Sequence, residues 1–240
     1  MKISRKTLEK KHRFIEEWIS KVKSKNDNRN YEYGLNSRGW RDEYKVIIGW
    51  IPRESKVLDL GCGDGSLLLS LKEKGVEGEG VEISKSGVES AKRKGLKVHR
   101  GRIDQKLPYK KNHFDFAICN VTLQMVMYPE VLLLEMKRIA KKQIITFPNF
   151  AFVPNRLDLL VNGRMPRVMI PGYEWYSTGH IHQFSIKDFE FFCRHNGIKI
   201  LKIKHVYPGS IFSIPEKYFR KFPNLFASTG VFLTTGVWVP

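Results

Sequence analysis

The chain has 240 residues, 42% of them hydrophobic and 12% aromatic, with 42 Lys and Arg against 24 Asp and Glu, a formal charge of +18 and a pI near 9.8. That apolar content fills one large core and excludes a disordered chain, and no run of about 18 apolar residues is present to span a membrane as a helix. The charged N-terminus lacks the apolar stretch of a secretory signal, and three cysteines without metal-ligand spacing, Cys62, Cys119 and Cys193, suit reduced thiols in a cytoplasmic protein with no structural metal.

Residues 1–36 form a basic extension in which Leu8, His12, Ile15, Ile19 and Val22 recur at helical spacing. Two readings stand for this amphipathic helix. Its Lys face clamps a nucleic acid or a partner surface, or its apolar stripe of Ile15, Trp18 and Ile19 packs on the main domain. Nucleic acid is permitted by the charge but not favoured, because Lys is spread along the whole chain.

The main domain is placed at 37–240. A strand is predicted at 56–60, a helix at 66–74 stopped by Gly75, and a strand at 79–83. Ser84 then caps a helix over 85–94 that Gly95 closes, and strands follow at 97–100 and 114–119. A helix over 129–141 carries Pro129 in its first turn and leads to a strand at 143–147. Between 148 and 184 the periodicity fails, and this segment, rich in Pro, Gly, Asn and aromatics, reads as an irregular lid or wall. Ser185 and Asp188 then form a capping box on a helix ended by Gly197, and the β-rich stretches 198–206 and 230–239 can pair as a closing antiparallel unit. The expectation is an α/β fold, doubly wound on a mostly parallel seven-stranded sheet, with an antiparallel closing strand and an N-terminal helical extension.

The strongest local signal is the string Val57-Leu58-Asp59-Leu60-Gly61-Cys62-Gly63-Asp64-Gly65-Ser66, an apolar strand entering a glycine turn and then a helix. Glycines permit the tight turn and let backbone N–H groups approach a ligand at a helix N-terminus. A dinucleotide fingerprint would place its third glycine where Ser66 stands, which disfavours NAD. The next strand ends in Val81-Glu82-Ile83, and Glu82 lies 82 − 61 = 21 residues beyond the first glycine, the spacing at which an acid reaches ribose hydroxyls. Together the two features indicate an adenosine ligand.

The string D-L-G-C-G-D-G-S followed by V-E-I-S resembles the class I S-adenosyl-L-methionine-dependent methyltransferases. The resemblance implies that Asp59 and the backbone of Gly61, Cys62, Gly63 and Gly65 hold the methionine moiety, that Glu82 takes the ribose hydroxyls and that Ile83 packs on adenine. Residues 41–65, G-R-I-D at 101–104, T-L-Q at 122–124, F-P-N-F at 147–150, G-R-M-P at 163–166, W-Y-x-T-x-x-I-H at 175–182, D-F-E at 188–190 and P-N-L at 223–225 narrow it further. Over about 200 residues the chain is similar to the MetW proteins of methionine biosynthesis, a family associated with homoserine O-acetyltransferase; the basic extension lies outside the resemblance.

Arg102 stands where that family usually has Asp, and an arginine cannot accept the adenine amino group, so Ile103 and Asp104 are the expected contacts. Asp104 has a second reading, as a loop carboxylate capping its own backbone.

Beyond the strand at 114–119, Asn120 is expected to touch cofactor and Gln124 the acceptor, while Cys119 packs as a small hydrophobe. The irregular segment offers Asn149, Arg156, Arg164, Tyr173, Trp175, Tyr176, His180 and His182 to enclose a small-molecule acceptor. His182 and Tyr176 are the candidate catalytic groups, His182 as a general base or else, with Trp175, as an organiser of the lid. His180 and His182 are two residues apart and have no third ligand nearby, so a metal is not expected.

Overall fold

The computed structural model describes residues 41–166, 179–208 and 220–236. Helix α1, Asp42–Trp50, opens the described chain, with Asp42 and Glu43 in its positive first turn and Tyr44 and Ile47 turned inward. Sequence periodicity did not single it out. Strand β1 (Lys56–Leu60), helix α2 (Ser66–Glu73), strand β2 (Glu77–Glu82), helix α3 (Lys85–Arg93) and strand β3 (Lys97–Arg100) then alternate as predicted. Ser84 accepts the Gly87 N–H and caps α3.

Strand β4 (Phe114–Asn120) leads through a single 3-10 turn to helix α4 (Pro129–Ile139) and strand β5 (Ala140–Pro148). The predicted helix over 129–141 ends two residues early, because Ala140 is already extended and pairs with Phe114, and Lys142 with Phe116. Ladder hydrogen bonds here override the helical preference of Ala140 and Lys141. Helices α5 (Val153–Asn162) and α6 (Ile186–His195), strand β6 (Ile198–Val206), the short helix α7 (Pro223–Phe226) and strand β7 (Thr229–Gly236) complete the described elements.

The seven strands run in the order β3-β2-β1-β4-β5-β7-β6. The first five are mutually parallel, and β7 lies antiparallel between β5 and β6, so the sheet is doubly wound, mostly parallel and closed by an antiparallel strand. On one face Ile47, Leu67, Leu68, Leu71, Val88 and Ala91 bring α1, α2 and α3 against Val57, Phe116 and Ile144. On the other, Leu132, Met136, Ile139, Ile186 and Phe189 bring α4 and α6 against Leu58, Leu60 and Phe147. Phe147 meets Phe184, Phe189 and Phe232 at ring distances of 4.6, 4.9 and 5.5 Å, which fastens α6 and β7 to the parallel part of the sheet.

The crossover 101–113 from β3 to β4 contains no helix. Buried Glu135 of α4 accepts the Leu107 N–H at 2.7 Å, and its ion-pair partner Arg138 donates to the Leu107 and Tyr109 carbonyls at 3.0 and 2.6 Å. Beneath it a cavity of about 720 Å³ runs along β2 and β3, lined by Val81, Lys97, His99 and Tyr109 among others.

The segment 148–184, read as irregular, contains helix α5. Its periodicity is masked because the helix has no core-facing apolar stripe: only Asn155 is buried, while Leu160 is 80% exposed and Leu157, Leu159 and Val161 lie open as well. Residues 167–178 of that segment, with Tyr173, Trp175 and Tyr176, and the basic extension 1–36 lie outside the described residues. Among the described residues no helix is long and apolar enough to cross a membrane.

Candidate cofactor and acceptor site

At the carboxyl end of β1 the chain turns through Gly61, Gly63 and Gly65, with φ of +81°, +55° and +75°. These are left-handed conformations that a side chain resists. At Gly61 a Cβ would also stand 2.5 Å from Thr122 Cγ2, so the first glycine is required twice over. The loop is pinned to β2 by the Gly61 N–H donating to the Val81 carbonyl at 2.8 Å. Glu82 completes the tether, accepting the Gly63 N–H on Oε2 at 2.8 Å and the Ser84 N–H on Oε1 at 2.7 Å. The two motifs recognised separately in the sequence are thus one hydrogen-bonded unit. Cys62 is buried, its Sγ lying where a Cβ on Gly80 would fall.

Asp59 is 2% exposed, and its Oδ1 has no hydrogen-bond partner. Burial, reinforced by the charge of Glu82, pushes its carboxyl up to about 7. Asp64, by contrast, is neutralised: Lys94 Nζ reaches Oδ2 at 2.7 Å, and Ser66 donates to the same carboxylate. A buried acid left half-satisfied beneath a glycine turn fits a cationic ligand group, such as the ammonium of a methionine moiety.

At the ends of β2 and β3, Ile83 is half-buried and Ile103 lies in the core. Asp104, 2% exposed, is held bidentately by Arg102, with Nε to Oδ1 at 3.0 Å and Nη2 to Oδ2 at 2.7 Å. Its carboxylate is therefore engaged by a side chain rather than by its own backbone.

Asn120 ends β4, its Oδ1 accepting from Thr146 Oγ1 at 2.6 Å. Strained Val121, at φ +48°, and the turn after it follow. There Gln124 is 1% exposed, donates through Nε2 to the Val121 carbonyl at 2.9 Å, and leaves Oε1 without a partner. Its own carbonyl accepts the N–H groups of Ile181 and His182 at 2.9 and 3.0 Å, so the structure brings Gln124 and His182 together from 58 residues apart. His182 Nε2 is buried and has no hydrogen-bond partner.

Two expected acceptor contacts fall elsewhere. Asn149 is completely buried and its amide is committed to structure: Nδ2 donates to the carbonyls of Asn224 and Ala227 at 3.1 and 2.8 Å, while Oδ1 accepts the Ala151 N–H at 3.2 Å. It ties the end of β5 to the approach of β7. Arg164 is exposed beyond α5, 3.9 Å from Asp158, and Arg156 donates to the Ala151 carbonyl at 2.6 Å. Cys119 is buried, and burial raises its thiol well above the ordinary range, as expected of a packing residue. Among the described residues no group of three His, Cys, Asp or Glu is placed to hold a metal.

Sequence reasoning missed Glu43 and Tyr44. Both are buried at the start of α1, where burial raises the Glu43 carboxyl. The available signal was the pair Asp42-Glu43 set one residue before the apolar positions 44, 47 and 51.

With this geometry in place, comparison with known proteins is informative. The MetW family model, described as methionine biosynthesis protein MetW, matches residues 41–234. The chain belongs to the MetW family. It is similar to the bifunctional methionine biosynthesis protein MetXA/MetW of Rhodopirellula baltica, 34% identical over 145 residues that make up 55% of this chain and 23% of that one. It is also similar to an uncharacterized protein of Methanocaldococcus jannaschii, 29% identical over 103 residues, or 43% and 47% of the two chains. The chain thus matches less than half the length of these curated relatives.

Solved structures of like fold include the magnesium protoporphyrin IX methyltransferase of Synechocystis with bound SAH, with a TM-score of 0.58 and 17% identity over 81% of this chain and 82% of that one. A SAM-dependent methyltransferase of Thermotoga maritima gives a TM-score of 0.58 and 21% identity over 81% and 87%. The fold is that of the class I methyltransferases.

Proposed function

We propose that this MetW protein is an S-adenosyl-L-methionine-dependent methyltransferase acting on a small-molecule acceptor in connection with methionine biosynthesis. The observation that carries the reading is the unit formed by the glycine turn and Glu82, joined by the Gly63 N–H at 2.8 Å, with the unpartnered Asp59 carboxyl buried below it. When bound, the cofactor supplies an activated methyl group on a sulfonium centre.

The chain's share is positioning and charge. Asp59 and the backbone of Gly61, Cys62, Gly63 and Gly65 hold the methionine end, Glu82 takes the ribose, Ile83 and Ile103 flank adenine, and Asp104 and Asn120 close the adenine and methyl ends. Gln124 orients the acceptor, and His182 takes the acceptor's proton through Nε2. The three buried free thiols support a cytoplasmic setting.

The test is calorimetric titration with S-adenosyl-L-methionine, followed by transfer of label from the methyl-labelled cofactor into fractionated cell extract, with Glu82→Ala as control. Absence of binding would overturn the reading.

A second reading is favoured by one observation, the relative in which MetXA and MetW share a single chain. In it the same site senses the cofactor, and the protein regulates homoserine O-acetyltransferase as a partner. Co-purification of that enzyme, strengthened by S-adenosyl-L-methionine in the absence of label transfer, would select it.

A further inference from the structure

We infer that the cavity beneath the 101–113 crossover is a nucleotide site, separate from the cofactor site, in which a base lies against an apolar and aromatic wall and a phosphate rests on a cationic rim. The β2–β3 register sets Glu79 opposite Lys97 and Val81 opposite His99, so these alternate residues share one face at the edge of the sheet. All of them line the cavity, whose volume of about 720 Å³ is that of a small-ligand site. Glu82, by contrast, stands at the strand end and is committed to the glycine turn.

A doubly wound sheet ordinarily covers such a face with a crossover helix. Here the cover is a loop, and α4 holds it in place: Glu135 accepts the Leu107 N–H, and Arg138 donates to the Leu107 and Tyr109 carbonyls. The wall is therefore formed before any ligand arrives, which lowers the ordering cost of binding.

The lining shows what the cavity lacks. Its one carboxylate, Glu79, is 5% exposed and already compensated, with Lys97 Nζ 2.6 Å from Oε1 and the Tyr109 hydroxyl donating to Oε2 at 3.4 Å. Arg102 is likewise engaged by Asp104. Arg100 and Lys110, exposed on the rim, form no ion pair among the described residues. The unmet charge is thus cationic and calls for an anion. The uncharged surface is apolar and aromatic: Val81 and Leu107 are buried in the lining, while Tyr109 stacks on His113 at 5.8 Å and meets Phe114 edge-on at 4.9 Å, which fixes its ring. A phosphate answers the rim and a base answers the wall, and a nucleotide joins the two. A free nucleotide and one nucleotide of a single-stranded RNA carry the same chemistry.

The experiment uses the full chain with saturating S-adenosylhomocysteine, which occupies the cofactor site. Uridine monophosphate, lacking the cofactor's adenine, and inorganic phosphate are titrated by calorimetry; a labelled oligouridylate of about eight nucleotides is followed by anisotropy. Uridine monophosphate is expected to bind at least about tenfold more tightly than phosphate, and Arg100→Glu with Lys110→Glu to weaken it about tenfold or more. Tyr109→Phe should retain that affinity, whereas Tyr109→Leu should lose about tenfold with the ring. If Tyr109→Leu does not fold, the exposed rim variant decides alone.

Tighter binding of the oligouridylate than of the mononucleotide identifies a strand as the source, and equal or weaker binding a free nucleotide. The inference is overturned if neither binds, if phosphate binds as well as uridine monophosphate, or if the rim variant leaves both affinities unchanged, which would trace them to the overall charge of +18. Failure of S-adenosylhomocysteine to bind would remove the cofactor reading, while the nucleotide titrations would still decide this site.

Discussion

Arg102 and Asp104, separated only by Ile103, form a bidentate pair at 3.0 and 2.7 Å just beyond the end of β3. The arginine that departs from the family pattern is thereby tied to the carboxylate expected to compensate for it. Arg102→Ala leaves Asp104 buried without its guanidinium and is expected to cost about 3 kcal/mol. Adding Asp104→Asn should recover most of that loss. Urea unfolding midpoints of the single and double variants provide the check; an undiminished loss in the double variant would show that the pair is not its source.

Asp59 gives a pH dependence of defined sign. Its folded value of about 7 lies above the ordinary 3.8, so the native state holds a proton that the unfolded chain releases. Stability is therefore fully present below the ordinary value and declines as pH rises toward 7. Asp59→Asn should flatten that decline and leave the variant more stable than wild type at about pH 8. Thermal melts across pH 4 to 8, roughly the span of the two values, test it. The same variant loses the buried anion and should bind S-adenosyl-L-methionine more weakly.

Glu82→Gln keeps the shape of the side chain but replaces an acceptor-only carboxylate with an amide that cannot accept both N–H groups equally. The Gly63 and Ser84 bonds are charge-assisted, so a loss of about 2 kcal/mol in stability is expected. Affinity for S-adenosyl-L-methionine should fall more than about tenfold, because loop and ribose contact fail together. Unchanged affinity in a folded variant would separate Glu82 from the cofactor.

Asn149→Ala removes two donors and one acceptor from a fully buried position. The expected cost is about 2 to 3 kcal/mol in chemical unfolding. At a temperature where the variant stays folded, cofactor affinity should equal that of wild type. A stable variant with altered label transfer would return Asn149 to the acceptor site.

His182→Gln retains a hydrogen-bonding group but not a base. Label transfer is expected to fall by about a hundredfold, while the dissociation constant for S-adenosyl-L-methionine moves less than about twofold. A purely organising role for His182 would instead show as weakened cofactor binding or a lowered melting temperature.

The sequence alone determined most of the parallel half of the fold and the cofactor loop, because both are written in short-range chemistry. Left-handed turns demand Gly61, Gly63 and Gly65, buried strands demand apolar runs such as 116–119, and caps demand Ser84 and Ser185. Helix α5 was not legible, since its apolar residues face outward and leave no period to read. The end of α4 was not legible either, since pairing of Ala140 with Phe114 across the sheet fixes it. Only the tertiary structure placed Gln124 against His182, withdrew Asn149 into the β5–β7 junction, and buried Glu43 at the start of α1. The physical reason is common to all three. A side chain's role depends on which of its polar atoms are already satisfied, and those partners come from distant strands and turns that only the closed sheet brings together.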